Sequence, residues 1–205
     1  IGIVESDDYA LGDMFANLYL IIKEKEADVI KSNYYSFSEK HGRKYEEILS
    51  KIPYYDVFCP CNNEDIWSVT PSIWSALYRR EFLEKQKILF HTSEGASYQD
   101  VSFWFKVLLS AERMICVPEA YLCYRCDNEN SSVKSSKKVF CIMEEFDVIK
   151  KYVRERCFDS MFPIVLREQF IHYIGNYFRV DSLYQYAFLE KMKEELKKEK
   201  EQGHI

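Results

Sequence analysis

The run Glu5-Ser6-Asp7-Asp8, directly after the apolar Ile1-Gly2-Ile3-Val4, places three carboxylates within four residues. Adjacent carboxylates repel one another, so holding them together ionised is costly unless a cation joins them. A hard divalent ion bound by one or two carboxylates plus substrate phosphates is the usual remedy. The plainer use is a solvated loop in which Asp8 caps the helix that follows. Asp100, preceded by Ser97-Tyr98-Gln99, opens a second apolar-periodic stretch. There it can serve as a first-turn carboxylate favoured by the helix dipole. It can equally act as a general base that takes the proton from an attacking hydroxyl.

Other side chains are more ambiguous. Trp67 and Trp74 flank Pro71; indole faces stack well on sugars, but Trp is as readily a core residue. Tyr124-Arg125 precedes the polar Asn130-Ser131-Ser132, and Arg125 can grip a phosphate with both arms or hold a surface carboxylate. His41, His91, His172 and His204 show no metal-ligand spacing. Cys59-Pro60-Cys61 has the wrong spacing for a zinc knuckle, and Cys123-x-x-Cys126 falls in a strand-like run. Reduced thiols are expected rather than zinc.

The elements that must position these groups follow from apolar periodicity. Residues 1–4 read as a short buried strand, and the acidic run sits at its carboxyl end, where open α/β sheets place ligands. Leu11, Met14, Phe15, Leu18, Ile21 and Ile22 recur at the spacing of a helix with one buried face, and residues 27–35 read as a second strand. Strand, helix, strand in that order favours a parallel pair. Residues 36–69 look polar and irregular, with a short helix around 45–51. A strand and a helix start share residues 71–83, a helix spans 98–109, and 114–117 and 120–124 are strands. Helices are expected over 136–156, 160–178 and 181–201. Phe162, Phe170, Tyr173, Phe178, Tyr184 and Phe188 fall at helical intervals there, fit for a packed core or for a membrane-surface or partner-docking face. The Lys191–Gln202 run alternates Lys with Glu and reads as a solvated helix.

Composition narrows the function classes. The chain has 205 residues, 47% hydrophobic and 16% aromatic, enough for a folded core. A net charge of −5 gives no basic surplus for nucleic acid. No apolar run approaches the roughly 18 residues of a membrane span, and no leader pattern opens the chain. A cytoplasmic protein is expected, with the inner face of the cell membrane as the place for any peripheral attachment. The apolar run at residue 1 suggests a piece of a longer protein.

Four blocks in order resemble family 2 glycosyltransferases, above all bacterial ones that build surface polysaccharides. Ile3-Val4-Glu5-Ser6-Asp7-Asp8-Tyr9 resembles the family's acidic metal and nucleotide motif. Pro71-Ser72-Ile73-Trp74-Ser75-Ala76-Leu77-Tyr78 and the residues to Leu83 are similar to the segment that usually reads Trp-Asn-Lys-Leu-Tyr. Tyr98-Gln99-Asp100-Val101-Ser102-Phe103 is similar to the Glu-Asp block that carries the catalytic base. Tyr121-Leu122-Cys123-Tyr124-Arg125, followed by Asn130-Ser131, resembles the Tyr-Arg strand and its Ser-containing loop. Glu5 replaces the usual Asp, Gln99 the usual Glu, and Asp127 or Asn128 stands where many relatives offer His.

The resemblance implies an α/β fold: a partial GT-A mixed sheet lacking its first strands over residues 1–133, with a helical extension over 134–205. It implies transfer of a sugar from a nucleotide-sugar donor to a hydroxyl of a saccharide or lipid-linked saccharide, with inversion. Asp7 and Asp8 would hold Mn²⁺ or Mg²⁺, with Glu5, Asp7 and Arg125 at the nucleotide diphosphate. Asp100 would be the catalytic base, and Trp74 would line the acceptor side. A chain without the first strands is expected to bind donor poorly, to be inactive alone and to self-associate through open sheet edges. Two other classes compete: a non-catalytic module whose aromatic tail docks a partner, and a metal-dependent nucleotidyltransferase. The latter would normally carry a Gly-rich phosphate loop, and only six Gly occur.

Overall fold

The computed structural model describes residues 1–92, 98–128 and 139–204. The chain forms two compact units: Ile1–Leu89 with Ser110–Asn130, and Phe90–Leu109 with Ser131–Ile205.

The first unit is built on a mixed sheet. In chain order it comprises β1 (Tyr9–Ala10), α1 (Met14–Glu24), β2 (Val29–Ser38), β3 (Gly42–Glu46), β4 (Val57–Phe58), β5 (Ala76–Tyr78) and α2 (Arg80–Lys85). The chain passes through α3 (Gln99–Ser110) before returning as β6 (Met114–Arg125). The strands run β1-β6-β2-β3, with β4 on β6 and β5 on β2. Among the described strands β2 and β6 pair in parallel and the other strand pairs are antiparallel, while an isolated parallel bridge joins Tyr54 to Cys116. Their first halves, Val29–Asn33 and Met114–Val117, are buried without alternation, as strands covered on both faces are. Met14, Leu18 and Ile22 recur at i, i+4 and form the buried stripe of α1. Asp28 (5% exposed) gathers the strand ends: it pairs with Arg79 and accepts the Glu112 and Arg113 N–H groups at 3.0 and 3.1 Å.

Three expectations need correction here. Residues 1–4 are not a buried strand: Ile1 and Val4 are exposed, and only Gly2 forms a bridge, to Leu77. The approach is tight enough that a Cβ on Gly2 would lie 2.4 Å from the Phe15 ring. The parallel pair therefore forms between β2 and β6, not between residues 1–4 and 27–35. No helix forms over 45–51, because Tyr45 and Glu46 pair with Tyr35 and Tyr34 in a hairpin. There Leu49, fully buried, gives its N–H to Asn33 Oδ1 at 3.0 Å; cross-strand packing overrides the local helical pattern. The segments 114–117 and 120–124 are one strand, whose register against β2 shifts at Ser32 and Asn33, beside Pro118.

In the second unit α3 joins α4 (Cys141–Glu155), α5 (Phe162–Tyr177) and α6 (Ser182–Glu201). Its core is aromatic: Phe105 meets Phe146 at 5.5 Å, Phe146 meets Tyr173 at 5.8 Å, and Tyr173 meets Phe188 at 6.0 Å. The tail aromatics thus divide, since Phe162, Tyr173 and Phe188 are buried while Phe170 and Phe178 are exposed. The Lys-Glu run of α6 is not simply solvated. Glu195 and Glu199 are buried; Glu199 pairs with Lys150 at 3.0 Å and Glu195 accepts from Tyr173 at 2.6 Å. Among the described residues no helix is long and apolar enough to cross a membrane.

Candidate functional site

The acidic run forms a tight loop between the Gly2 bridge and β1, closed by the Asp8 N–H donating to Glu5 O at 3.2 Å. Asp8 Oδ1 accepts the Arg125 N–H at 2.8 Å, so the loop is fixed to the end of β6. Its Oδ2 is buried and has no hydrogen-bond partner among the described residues. Burial outweighs that backbone hydrogen bond and, with the charge of Asp7 adding to it, raises the Asp8 carboxyl to about 6. Asp7 is exposed and accepts from Asn128 Nδ2 at 2.7 Å. Of the two side chains that stand where relatives offer His, Asn128 meets the acidic loop and Asp127 does not.

An aromatic wall adjoins these carboxylates. Trp74 stacks on Tyr124 at 5.0 Å and 7°, and Tyr34 packs edge-on against Trp74 at 4.7 Å. Burial first, then the negative charge of Glu5 and Asp8, pushes the Tyr124 phenol up. Trp74 itself is largely buried, so little of its ring is left to meet a ligand. Its turn, Ile73–Ser75, is held from below by Lys31. The fully buried Lys31 Nζ donates to Ser72 O and Oγ at 2.8 Å and to Ser75 Oγ at 3.2 Å. Ala76 stands where the resembled segment has Lys, and Lys31 is its cross-strand partner. Nothing in the 71–83 segment could reveal this, because the ammonium comes from another strand.

Arg125 contributes its backbone to Asp8, but its guanidinium is engaged elsewhere. Nε donates to Asp127 at 2.9 Å and a terminal nitrogen to Glu39 at 2.6 Å. The carboxylate-holding alternative is the one realised, and it ties the β2–β3 turn to the end of β6. Glu39 lay in a stretch read as irregular and was not a candidate. Asp100 lies in the second unit, in the first turn of α3, where its charge bears on Tyr98. Asn130, Ser131 and Ser132 fall outside the described residues.

Among the described residues no three His, Cys, Asp or Glu side chains gather to hold a metal. The donor set does suit a cation completed by a ligand's own oxygens. Asp7 and Asp8 are adjacent hard donors, and the buried Asp8 Oδ2 lacks the partner such an oxygen needs.

No protein-family profile matches the chain. At the sequence level it is 24% identical over 203 residues to the glycosyltransferase GlyG of Streptococcus pneumoniae serotype 4, covering 95% of this chain and 65% of GlyG. It is 29% identical over 130 residues to the glycosyltransferase GlyA of the same strain, covering 60% of this chain and 18% of GlyA. The chain thus spans less than two thirds of either curated relative. Among solved structures it is similar to S. aureus TarS 1–349 in complex with UDP-GlcNAc, with a TM-score of 0.61 and 22% identity over 74% of this chain and 42% of that one. Against TarS 1–349 alone the TM-score is 0.60 at 21% identity, over 89% and 50% of the two chains. The resemblance seen in the four sequence blocks is thus met in sequence by two bacterial glycosyltransferases, of which the chain is a homologue, and in fold by TarS, whose mixed α/β architecture it shares in part.

Proposed function

We propose that the chain is the metal- and acceptor-side part of an inverting glycosyltransferase that uses a nucleotide-sugar donor. One observation carries the reading: Asp8 is hydrogen-bonded to Arg125, the strand end next to the Trp74–Tyr124 stack, and keeps a buried oxygen with no hydrogen-bond partner among the described residues. Such an oxygen suits a divalent cation and the diphosphate that a nucleotide sugar brings. Asp7 and Asp8 would hold Mn²⁺ or Mg²⁺, which supplies Lewis-acid neutralisation of the diphosphate charge. That TarS was crystallised with UDP-GlcNAc supports a nucleotide-sugar donor.

The residues of this chain then divide the work. The Arg125 N–H fixes Asp8, and Asn128 orients Asp7. Lys31, through Ser72 and Ser75, sets the turn that carries Trp74 against Tyr124 on the acceptor side. Asp100 accepts the proton of the acceptor hydroxyl while that oxygen bonds to the anomeric carbon. The bond from that carbon to the diphosphate breaks, and the nucleoside diphosphate leaves from the opposite face, inverting the configuration. A base in this role contributes about 10² to 10⁴ in rate. Saccharides or lipid-linked saccharides are the acceptors this reading implies, and surface polysaccharide synthesis is the process. The test is a donor-hydrolysis screen of the full-length protein across nucleotide sugars with Mn²⁺ or Mg²⁺. Hydrolysis of one donor, lost with chelator, is expected; no hydrolysis of any donor under any cation would overturn the reading.

A further inference from the structure

The ribbon made by β1, β6, β2 and β3 has two faces, and only one of them meets the acidic loop. Side chains alternate along a strand, so Tyr34 and Tyr35 point to opposite sides. Tyr34 joins Trp74 and Tyr124 on the inner face, where Ser36 also donates to Glu46 at 2.6 Å. Tyr35 and Phe37 point outward.

On that outer face the register brings Tyr9, Cys123, Tyr35 and Tyr45 into a single cross-strand row. Cys123 is fully buried, so it floors the row, while Tyr9 and Tyr45 on either side are exposed. Phe37 meets Tyr9 edge-on at 5.7 Å, and Tyr45 meets Tyr35 at 6.0 Å. Tyr9 and Tyr45 are each 41% exposed, more than a packed core would leave. Four strands at one spacing apart make the row about 14 Å long. Arg43, paired in register with Phe37, lies over the Tyr35 ring at 5.9 Å, and its charge bears on Tyr9. Arg43 forms no ion pair with any described residue, whereas Arg125 is engaged by Glu39 and Asp127.

We propose that this outer face is a second binding site, distinct from the acidic loop, for a saccharide chain carrying anionic groups. Aromatic faces pack on the C–H faces of sugar rings, and the Tyr45 hydroxyl, which donates to Pro118 O at 2.6 Å and accepts from Asn33 Nδ2 at 2.9 Å, fixes its ring in the row. The Arg43 guanidinium, which forms no ion pair among the described residues, supplies the complementary charge, and its planar fork suits a carboxylate or a phosphate. The site would hold the polymer apart from the reacting hydroxyl, and it stands whether or not the acidic loop transfers sugar.

Affinity gel electrophoresis of the full chain tests it, with oligogalacturonate as the carboxylate probe, phosphomannan as the phosphate probe and dextran as the neutral one. Retention by at least one anionic probe, beyond that by dextran, is expected. Tyr9→Ala and Arg43→Ala should each weaken that retention about ten-fold, with unchanged circular-dichroism melts. Tyr186→Ala, at an exposed aromatic of α6, should leave it unchanged. Absence of retention by either anionic probe would overturn the proposal. So would retention kept in both outer-face variants, or cross-links from position 43 that trap a protein partner or a second copy of the chain.

Discussion

The raised Asp8 carboxyl makes a prediction about stability that is independent of any catalytic assay. In the unfolded chain an Asp titrates near 3.8, and in the folded protein Asp8 titrates at about 6. Between these values the native state holds a proton that the unfolded state has lost. The slope of unfolding free energy with pH is therefore negative across that window, and stability is fully present below about 4 and lost as pH rises to 6. A shift of this size would correspond to about 3 kcal/mol undiscounted; because Asp8 is only half-buried, solvent screening reduces it to roughly 1–2 kcal/mol. Asp8→Asn removes the titration. The amide it introduces costs a constant amount wherever its N–H₂ lacks a partner, and that constant cancels in the slope. Urea unfolding at pH 4.5, 5.5, 6.5 and 7.5, followed by tryptophan fluorescence, should show the wild type losing about 1–2 kcal/mol more than Asp8→Asn across the series. Parallel pH profiles would refute the claim that this carboxylate is held at a desolvation cost awaiting a cation. In the full-length protein, Mn²⁺ with UDP should restore wild-type stability at pH 7.5 and leave the variant unchanged.

Other perturbations follow from the same geometry. Lys150→Met takes the ammonium from the buried Glu199 and Glu195, which keep His204 and Tyr173 as partners, and calorimetry should show a loss of about 1–3 kcal/mol from the helical unit. Arg125→Ala breaks solvent-exposed pairs, so the urea midpoint should barely move. Trp74→Ala empties a buried ring site and should cost about 3–5 kcal/mol, whereas Trp74→Phe keeps a ring on Tyr124 and should cost less by thermal melts. Lys31→Met should loosen the Ile73–Ser75 turn, seen as a change in Trp74 emission that Lys31→Arg partly avoids.

What was legible in the sequence is what local periodicity carries. The stripe Met14, Leu18, Ile22 gave α1, and the apolar spacing of the tail gave α4, α5 and α6 within a few residues of their ends. The acidic loop and the Tyr124-Arg125 strand end were visible as residue types in order. The pairing of distant segments was not visible. The hairpin that carries Tyr45 is decided by its match to Tyr35 across a turn, against its own helical pattern. The partner of the Arg125 guanidinium is Glu39, 86 residues away. Lys31 supports Trp74 from a strand 41 residues upstream of Ser72, and Glu195 and Glu199 are buried only because Lys150 and Tyr173 face them. Each of these is a tertiary fact with no local signature.

The claim on which the functional account turns is that Asp100 removes the acceptor proton while Asp7 and Asp8 serve the departing diphosphate. Steady-state kinetics of the full-length protein with its donor, comparing Asp100→Asn with Asp8→Asn, address this most directly. Asp100→Asn should lower kcat by about 10² or more while donor KM stays near the wild-type value. Asp8→Asn should raise the requirement for divalent cation and the donor KM. Asp100→Asn turning over at the wild-type rate would contradict the account.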